Sequence, residues 1–547
     1  MVLNTSTTIR TAAPRPQEAI VTSVFSSRYW AILVLVVLAI WCWVDVWPRG
    51  RLDPTKPHVH RTDFTVYTNA GKAALVGIDP YSVTNARGWK YLYLPPFALL
   101  VSPLALLSEG WQCVIWFWIS IACLYGAFRE FTLLDRWAFP RNSLIKANGR
   151  LKTTGVMQPL SGLSGRLSQM ESDFTLPPGG SSEARGGYDS FCRSPKTNPL
   201  AVWGGIVCVI GFSFSTLNCL QRGQVGVFQL YLTLLGVRMI LTSATGLSAM
   251  VGGSVLAGAI ILKLSPALPA TALIGGLVFL ALRKCDRSSA AMFKRALTAG
   301  FGLIAGLVVG IWIMPASIVG WERNQTYLES WRRGVFARTN ELSSDRFAGD
   351  SHSTKNQSPM NAFWLLGNSL LSVDYVDGPT HSNPEKTYPM EQPMGKQVLL
   401  GVRVVSILAT GIALLAILWR GNANALLVAF AVANAATLLV VPIARGHYFM
   451  AIWPAAVWVP RWLMQSIPVQ SKFRFGLGWL TQIPPTLLMI HYLFERSVGG
   501  WGVLGVGIWM WFLLLTGAIL APVFSKLLAG ASPFYVSKSL RNILRNR

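Results

Sequence analysis

Residues 63–107 read DFTVYTNAGKAALVGIDPYSVTNARGWKYLYLPPFALLVSPLALL and follow an apolar run at residues 29–47, YWAILVLVVLAIWCWVDVW. A helix that crosses a bilayer needs about 20 predominantly apolar residues, so this run is long enough to span one. The carboxylate of Asp63 therefore emerges close to a membrane face. Further apolar runs follow along the chain, so this pattern sets the fold of the whole protein.

The composition is that of a multi-span membrane protein. Of 547 residues, 52% are hydrophobic and 13% are charged, against about 25% charged residues in an average soluble domain. The formal net charge is +25. Lys and Arg lie mostly between apolar runs rather than on a solvated basic domain, so we predict no nucleic-acid partner. Most of the seven cysteines lie within apolar runs, which predicts buried thiols and no disulfide framework.

Thirteen apolar runs predict an all-α, polytopic integral membrane protein. They lie at residues 29–47, 94–107, 111–128, 199–219, 225–243, 247–264, 266–282, 296–319, 397–419, 423–443, 447–463, 475–494 and 500–523. Short loops rich in Lys and Arg stay on the cytoplasmic side, and such segments lie at 283–295, at 461–474 and in the C-terminal tail. With these segments and the N-terminus inside, thirteen crossings give the wrong parity. We therefore predict about twelve transmembrane helices.

The run at 94–107 is the one predicted not to cross. It is short, begins with Pro95-Pro96 and carries Pro103 in its middle. A re-entrant or half-inserted segment tolerates such prolines where protein or a cavity satisfies the freed backbone groups.

This topology brings five polar features to the outer face. The charge rule used no information about them, so a single outward-facing site is the economical interpretation. The features are the loop around Asp63, the turn Arg222-Gly223-Gln224, the end of the run that carries Lys263, the loop 320–396 and the turn Pro442–His447.

The chain divides into membrane parts and polar segments. Residues 1–28 are predicted to be a disordered cytoplasmic N-terminus, and no small-residue cleavage site follows the first run, which indicates an uncleaved span. Residues 129–198 are rich in Gly, Ser and Pro and predict a mostly disordered cytoplasmic insertion. The other predicted parts are the first transmembrane helices 29–128 with an external loop 48–93, helices 199–319, a large external loop 320–396, helices 397–523 and a basic cytoplasmic tail 524–547.

Asp63 has two interpretations that can coexist. It can be the N-cap of a helix predicted at Phe64–Leu75, or a general base that takes the proton from an acceptor hydroxyl. His58 and His60 with the neighbouring aspartates match no closed ligand set, so no metal is predicted. No Gly-rich phosphate-binding motif follows a strand-like run, so no nucleotide or other cofactor is predicted.

The first loop resembles that of glycosyltransferase family 87, the polyprenyl-phosphate-mannose-dependent mannosyltransferases. The family pattern is an Asp, an amphipathic turn of helix, Gly-x-x-Pro-Tyr, Tyr-x-Pro-Pro and Pro-Leu. Here these elements are Asp63, Gly77–Tyr81, Tyr93–Pro96 and Pro103-Leu104. The resemblance implies a helical fold of the GT-C type, with an amphipathic helix in the first external loop, and it implies a general-base role for Asp63.

Four further elements resemble the family in part. Lys263-Leu264-Ser265-Pro266 matches Lys-x-x-Pro, and Asn356-Gln357-Ser358 matches Asn-Gln-Ser in the large loop. Gln224 matches Gly-Gln-x-Asn, although Gly226 replaces the Asn. His447 is retained from Pro-x-x-Trp-x-His, although Arg445 replaces the Trp. The resemblance implies substrate contacts for Gln224, Asn356 and Gln357. A Lys at the end of a span either snorkels to the interface or meets an anion, and we predict that Lys263 contacts the donor phosphate. His447, as imidazole or imidazolium, can hydrogen-bond that phosphate, and Arg445 can add a bidentate contact.

Four aromatic residues near the first loop have two interpretations. Tyr81, Trp89, Tyr91 and Tyr93 can form an interfacial aromatic belt or a platform for sugar rings. Both uses require amphipathic rings at headgroup depth. We predict substrate contacts for Tyr81 and Tyr93.

The predicted reaction is transfer of a hexose from a polyprenyl-phosphate sugar donor to a glycan or glycolipid acceptor. Mannose follows only from the resemblance. The predicted location is a bacterial inner membrane, with membrane lipid as a partner and the site facing outward. A transporter or flippase of lipid-linked sugars is the alternative, although the paired hydropathy halves typical of transporters are absent from the sequence. The oligomeric state stays open.

Overall fold

We describe the protein from a computed structural model of the full chain. The structure describes residues 27–51, 60–86, 88–139, 199–242, 245–284, 287–336, 356–371, 393–421, 423–441, 444–466, 471–494 and 502–530.

The described residues form sixteen helices, which we number in chain order. The only strand-like pairing among these residues is two isolated bridges, Thr84 with Lys90 and Asn356 with Arg445. The prediction of an all-α fold is therefore confirmed. The helices are α1 (Ser27–Trp41, continued by the π-helical turn Cys42–Val46 and by Trp47–Gly50), α2 (Phe64–Leu75), α3 (Pro95–Val101, continued by the 3-10 turn Ser102–Leu106), α4 (Glu109–Ala138), α5 (Pro199–Arg222), α6 (Gly226–Thr242), α7 (Gly246–Leu262), α8 (Ala267–Lys284), α9 (Arg287–Val308, continued by Val309–Ile313 and Met314–Val319), α10 (Trp321–Trp331, continued by Arg332–Phe336), α11 (Pro359–Leu371), α12 (Pro393–Arg420), α13 (Ala423–Val440), α14 (Trp453–Ser466, preceded by the 3-10 segment Gly446–Ile452), α15 (Ser471–Leu493) and α16 (Val503–Gly530).

Each of the thirteen predicted apolar runs contains a helix among its described residues, and several of these helices are long enough to cross a membrane. Five helices pass on length and composition, or up to six if α5 and α6, which meet at 116°, count as one bent span. Helices α7 and α13 have 17 and 18 residues, at the short end of the range that crosses a bilayer. The membrane character is thus supported directly, and the count of twelve crossings stays a prediction.

Helix α3 is too short to cross. Pro95 and Pro96 occupy its first turn, where a missing N–H costs nothing. At Ser102 the chain tightens into a 3-10 turn that contains Pro103. The whole element is about 20 Å long, less than the roughly 30 Å of a hydrocarbon core. It packs beside α2, and its re-entrant or half-inserted position stays a prediction.

Small residues bring α7 and α9 together. A Cβ at Gly253 would lie 2.0 Å from the carbonyl oxygen of Ala299, and one at Gly302 would lie 1.9 Å from that of Met250. Two glycines that face the partner backbone thus allow the close helix approach that is common in membrane bundles. Elsewhere the core is aliphatic and aromatic, with a separate aromatic cluster that includes Phe64, Tyr67 and Trp116.

The helix ends meet in two layers. We call one the site end: there the N–H of Asp63 donates to the carbonyl oxygen of Arg222 over 2.8 Å, and α7 stops just before Lys263. We call the other the opposite end: there Arg238 of α6 pairs with Glu130 of α4, and Arg461 of α14 pairs with Asp135. Which of these two ends faces outward stays a prediction.

Parts of the predicted domain division lie outside the described residues. They include residues 1–26 of the N-terminus, 140–198 of the insertion and 531–547 of the tail. They also include 52–59 of the first external loop, with His58, and 337–355 and 372–392 of the large loop. Helix α4 continues through Ala138, past the predicted boundary at residue 128. The predicted large loop 320–396 contains two helices, α10 and α11, and α12 begins within it at Pro393.

Candidate functional site

Asp63 stands at the N-terminus of α2 with its carboxylate turned towards another helix. It makes no side-chain cap bond; instead the hydroxyl of Thr62 accepts from the N–H of Phe64 over 3.2 Å. One carboxylate oxygen accepts from Nη2 of Arg222 over 3.2 Å, and the other accepts from the side-chain amide of Gln224. The helix predicted at Phe64–Leu75 is therefore present, and the carboxylate of Asp63 is used for tertiary contacts rather than for capping.

The turn between α5 and α6 presents both partners of this carboxylate. It closes at Gly223, whose φ of +67° favours glycine and whose added Cβ would lie 2.8 Å from the Cβ of Phe64. Glycine thus lets the turn approach the start of α2 closely. The guanidinium of Arg222 also lies over the ring of Trp89, 5.3 Å from its centroid.

Tyrosine hydroxyls orient the Gln224 amide. Tyr67 and Tyr93 both donate to its Oε1, over 3.4 and 3.3 Å, so its NH2 group faces Asp63. The hydroxyl of Tyr81 donates to the backbone oxygen of Tyr93 over 2.8 Å and holds that segment of the loop in place. Burial raises the pKa of the Tyr67, Tyr81 and Tyr93 phenols well above the usual value, so each remains a hydrogen-bond donor.

Lys263 is the first residue after α7 and lies against an aromatic ring. Its Nζ is 2.9 Å from the ring centroid of Tyr448. Burial lowers the pKa of Lys263, and Arg445 lowers it further, whereas Tyr448 opposes the shift. Among the described residues no carboxylate lies within ion-pair distance of its ammonium group, so none of them balances the positive charge by an ion pair.

His447 lies in the 3-10 segment before α14 and is only 2% exposed. Its Nε2 has no hydrogen-bond partner among the described residues. Burial lowers the pKa of His447 well below the usual 6.5, and Arg222, Lys263 and Arg445 lower it further. The imidazole is therefore neutral at pH 7, which favours the neutral form of the two that the sequence left open.

Lys263 and His447 both line a cavity of about 60 Å³, which has room for several water-sized groups. Leu230, Leu438 and Val441 supply apolar wall, so the cavity combines a polar head with an apolar side. Its polar lining consists of Gln229, Thr233, Lys263, Ser265, Asn434, Thr437, His447 and Tyr448.

Asp63 does not line this cavity but lies next to it. Arg222, which holds Asp63, also acts on the pKa of His447. Tyr448, which lines the cavity, acts on the pKa of Tyr93. The structure thus brings Asp63 and Gln224 beside the group formed by Lys263, Arg445 and His447, although these residues come from four separate parts of the sequence.

Asn356 and Gln357 hold the turn that carries Arg445 and His447. The side-chain oxygen of Asn356 accepts from the N–H of Ala444 over 2.9 Å, and the N–H of Gln357 donates to the oxygen of Ala444 over 2.6 Å. The side-chain oxygen of Gln357 also accepts from the N–H of Gly505 over 3.4 Å. Both side chains are buried. The structure therefore gives them a supporting position, and their contact with substrate stays a prediction.

Sequence reasoning gave no role to three residues of this site. Arg222 was noted only as part of a turn, yet it pairs with Asp63. Tyr67 lies one helical turn after Asp63, and that i, i+4 spacing was the available signal. Tyr448 follows His447 directly, but nothing in the local sequence indicates that it lies under Lys263. No group of three or more His, Cys, Asp or Glu suited to a metal ion occurs in the described part of the chain.

Comparison with known proteins gave one match. The model of glycosyltransferase family 87 matches residues 91–442, more than half of the chain. The matched range includes Tyr93, Gln224 and Lys263, but it begins after Asp63 and ends before His447. No curated protein and no solved structure matches.

Proposed function

Because this chain belongs to glycosyltransferase family 87, we propose that it moves a hexose, mannose first among the candidates, from a polyprenyl-phosphate sugar to a hydroxyl of a glycan or glycolipid. The observation that carries the proposal is the juxtaposition at the site end. A buried carboxylate there lies beside a cavity that holds an unbalanced lysine and an unpartnered imidazole. Family membership also favours a transferase over the flippase alternative.

The cavity suits a lipid phosphate. Lys263, Arg445 and His447 are the proposed phosphate ligands, because cationic and N–H groups stabilise the charge that develops on a leaving phosphate. The apolar wall formed by Leu230, Leu438 and Val441 suits the first isoprene units of a carrier that stays in the membrane. A leaving group anchored in lipid explains why the reaction needs a site at the bilayer surface.

The proposed chemistry is a single displacement. The acceptor oxygen attacks the anomeric carbon on the face opposite the phosphate, while Asp63 takes the hydroxyl proton. The new carbon–oxygen bond forms as the bond to the phosphate oxygen breaks, and the polyprenyl phosphate leaves with the electron pair. The anomeric centre inverts, so a β-linked mannosyl phosphate gives an α-mannoside.

Arg222 and Gln224 fix the orientation of this base. Each donates to a different oxygen of Asp63, and an ionised carboxylate has about four acceptor positions. Tyr93 also donates to Gln224. It lies between Asp63 and the cavity, where an acceptor sugar would lie. Tyr81 is proposed to act on the acceptor through Tyr93. The proposed site faces outward across a bacterial inner membrane.

A transfer assay tests the proposal. Purified protein is given polyprenyl-phosphate mannose and candidate acceptors, and the new glycosidic bond is measured by mass spectrometry. Asp63→Asn keeps the size of the side chain but cannot take a proton, so we expect kcat to fall by about 10²- to 10⁴-fold, with donor binding retained.

Asp135→Asn is the matched control, because Asp135 is also a carboxylate paired with arginine, at the opposite end. We expect it to retain kcat. Transfer that survives Asp63→Asn undiminished removes Asp63 as the base. Movement of the lipid-linked sugar across vesicles with no new glycosidic bond supports the flippase instead.

A further inference from the structure

A second carboxylate, Asp45, lies in the first membrane span close to the site end. It sits in the π-helical turn Cys42–Val46 that interrupts α1; π-helical turns are frequent at functional sites. Three side chains donate to its carboxylate: Arg49 over 2.7 Å, Gln221 over 2.6 Å and Trp41 over 3.1 Å.

The contacts of Asp45 lead to Asp63 by two routes. Gln221 directly precedes Arg222, which binds Asp63 through both its backbone oxygen and its guanidinium. Arg49, one helical turn after Asp45, accepts through its backbone oxygen from the N–H of Arg61 over 3.0 Å. The contacts therefore connect Asp45 to Asp63 on one side through Gln221 and Arg222, and on the other side through Arg49 and Arg61.

We propose that Asp45 is a positioning residue for Asp63, because it holds Gln221 and thereby the turn that presents Arg222 to the catalytic carboxylate. This inference rests on the proposed function.

The free-energy cost of placing the Asp45 carboxylate in a membrane helix supports a positioning role. A carboxylate deep within a membrane helix is costly, and Arg49 alone can neutralise it from the same helix. The contact with Gln221 is different, because it joins α1 to α5 across a sequence separation of 176 residues. It is the contact that can transmit position to Arg222, and small misplacements of catalytic groups cost up to about 10²-fold in rate.

An exchange of the hydrogen-bonding groups tests the inference in the full-length protein. In the Asp45→Asn variant, the side chain no longer holds Gln221 with a charge-assisted bond, so we expect kcat to fall by about 10- to 100-fold while the donor KM changes less than about twofold. Adding Gln221→Glu restores one amide and one carboxylate in reversed order. We expect the double variant to recover only part of the lost kcat. In the wild type Trp41 and Gln221 donate to the same oxygen of Asp45, and an amide NH2 group in that place cannot accept from Trp41.

Arg49→Gln is the control for charge and folding. It removes the ion pair with Asp45 but leaves the contact with Gln221, so kcat should stay within about twofold of the wild type. If Asp45→Asn does not fold, Gln221→Met removes the same contact from α5 and should give the same loss of kcat at constant donor KM.

The outcomes separate this inference from the proposed function. Wild-type protein that transfers no hexose from a polyprenyl phosphate overturns the proposed function, and this inference with it. An active wild type whose Asp45→Asn variant keeps full kcat overturns only the positioning role of Asp45. A fall in kcat that the double variant does not reverse, in folded protein, also overturns it.

Discussion

The charged side chains at the two ends of the helical bundle differ in their partners. At the opposite end, Glu130 is 1% exposed and pairs with Arg238, and Asp135 accepts two hydrogen bonds from Arg461, of 2.6 and 2.7 Å. Arg283 there donates to the backbone oxygen of Trp419. At the site end, Lys263 and Arg445 have no carboxylate within ion-pair distance among the described residues.

The paired charges at the opposite end hold helices together, whereas Lys263 and Arg445 at the site end are placed to bind a ligand. A charged group near lipid usually pairs with another charge or with backbone carbonyls. The opposite end follows that rule with groups from its own helices. The site end leaves a net positive region beside a cavity, which suits an anionic group from outside the chain.

The largest effect in this comparison is expected for Lys263→Met. Removing the ammonium group takes away a proposed donor-phosphate contact, and charge-assisted bonds of this kind contribute about 1.5–3 kcal/mol. The KM for the donor should therefore rise by about 10- to 100-fold. Steady-state kinetics with increasing polyprenyl-phosphate mannose measures it. An unchanged donor KM would show that the phosphate binds elsewhere.

A smaller effect, of a different kind, is expected for Glu130→Gln at the opposite end. The substitution removes the negative charge that balances the Arg238 guanidinium, so the free energy of unfolding should fall by about 1–3 kcal/mol. Unfolding in micelles measures this loss. The kcat of the folded fraction should not change, because Glu130 touches no part of the site. A large loss of kcat without loss of stability would contradict the division between the two ends.

The smallest expected effect is a pH dependence due to His447. Its pKa in the folded protein lies well below the usual 6.5, so below about pH 6.5 the unfolded chain binds a proton that the folded protein does not. Stability contributed by this neutral histidine is present above pH 6.5 and is lost as the pH falls, by at most about 1.4 kcal/mol per pH unit.

His447→Gln removes this term, so wild-type protein should lose more stability than the variant between pH 7 and pH 5.5, measured by thermal unfolding without donor. Equal losses in the two proteins would mean that the pKa of His447 is the same in the folded and unfolded states, and would contradict its lowering by burial.

The sequence predicted where the helices lie better than it predicted which helices pack against one another. Apolar runs in lipid must satisfy their backbone internally, so each run became a helix, and α2 has the predicted bounds Phe64–Leu75. The charge rule also placed Asp63, Lys263 and His447 on one face, and the structure brings Lys263 and His447 together beside Arg222, the partner of Asp63; that this face is the outer one stays a prediction. These predictions needed only local composition and the order of the segments.

The pairings within the site needed the packed structure. Arg222 meets Asp63 across 159 residues, and Asn356 meets Ala444 across 88. No local pattern states which helices become neighbours, so a turn that was noted for Gln224 gave no indication of the ion pair made by Arg222. The same reason explains why Asn356 and Gln357, predicted as substrate contacts, lie buried against the His447 turn.

A cryo-EM structure of the Asp63→Asn variant with polyprenyl-phosphate mannose would test most directly whether the site end is the place of reaction. We predict that the donor phosphate lies within hydrogen-bonding distance of Lys263 and His447, with the anomeric carbon facing residue 63. A phosphate bound at the opposite end, or a sugar turned away from residue 63, would contradict it.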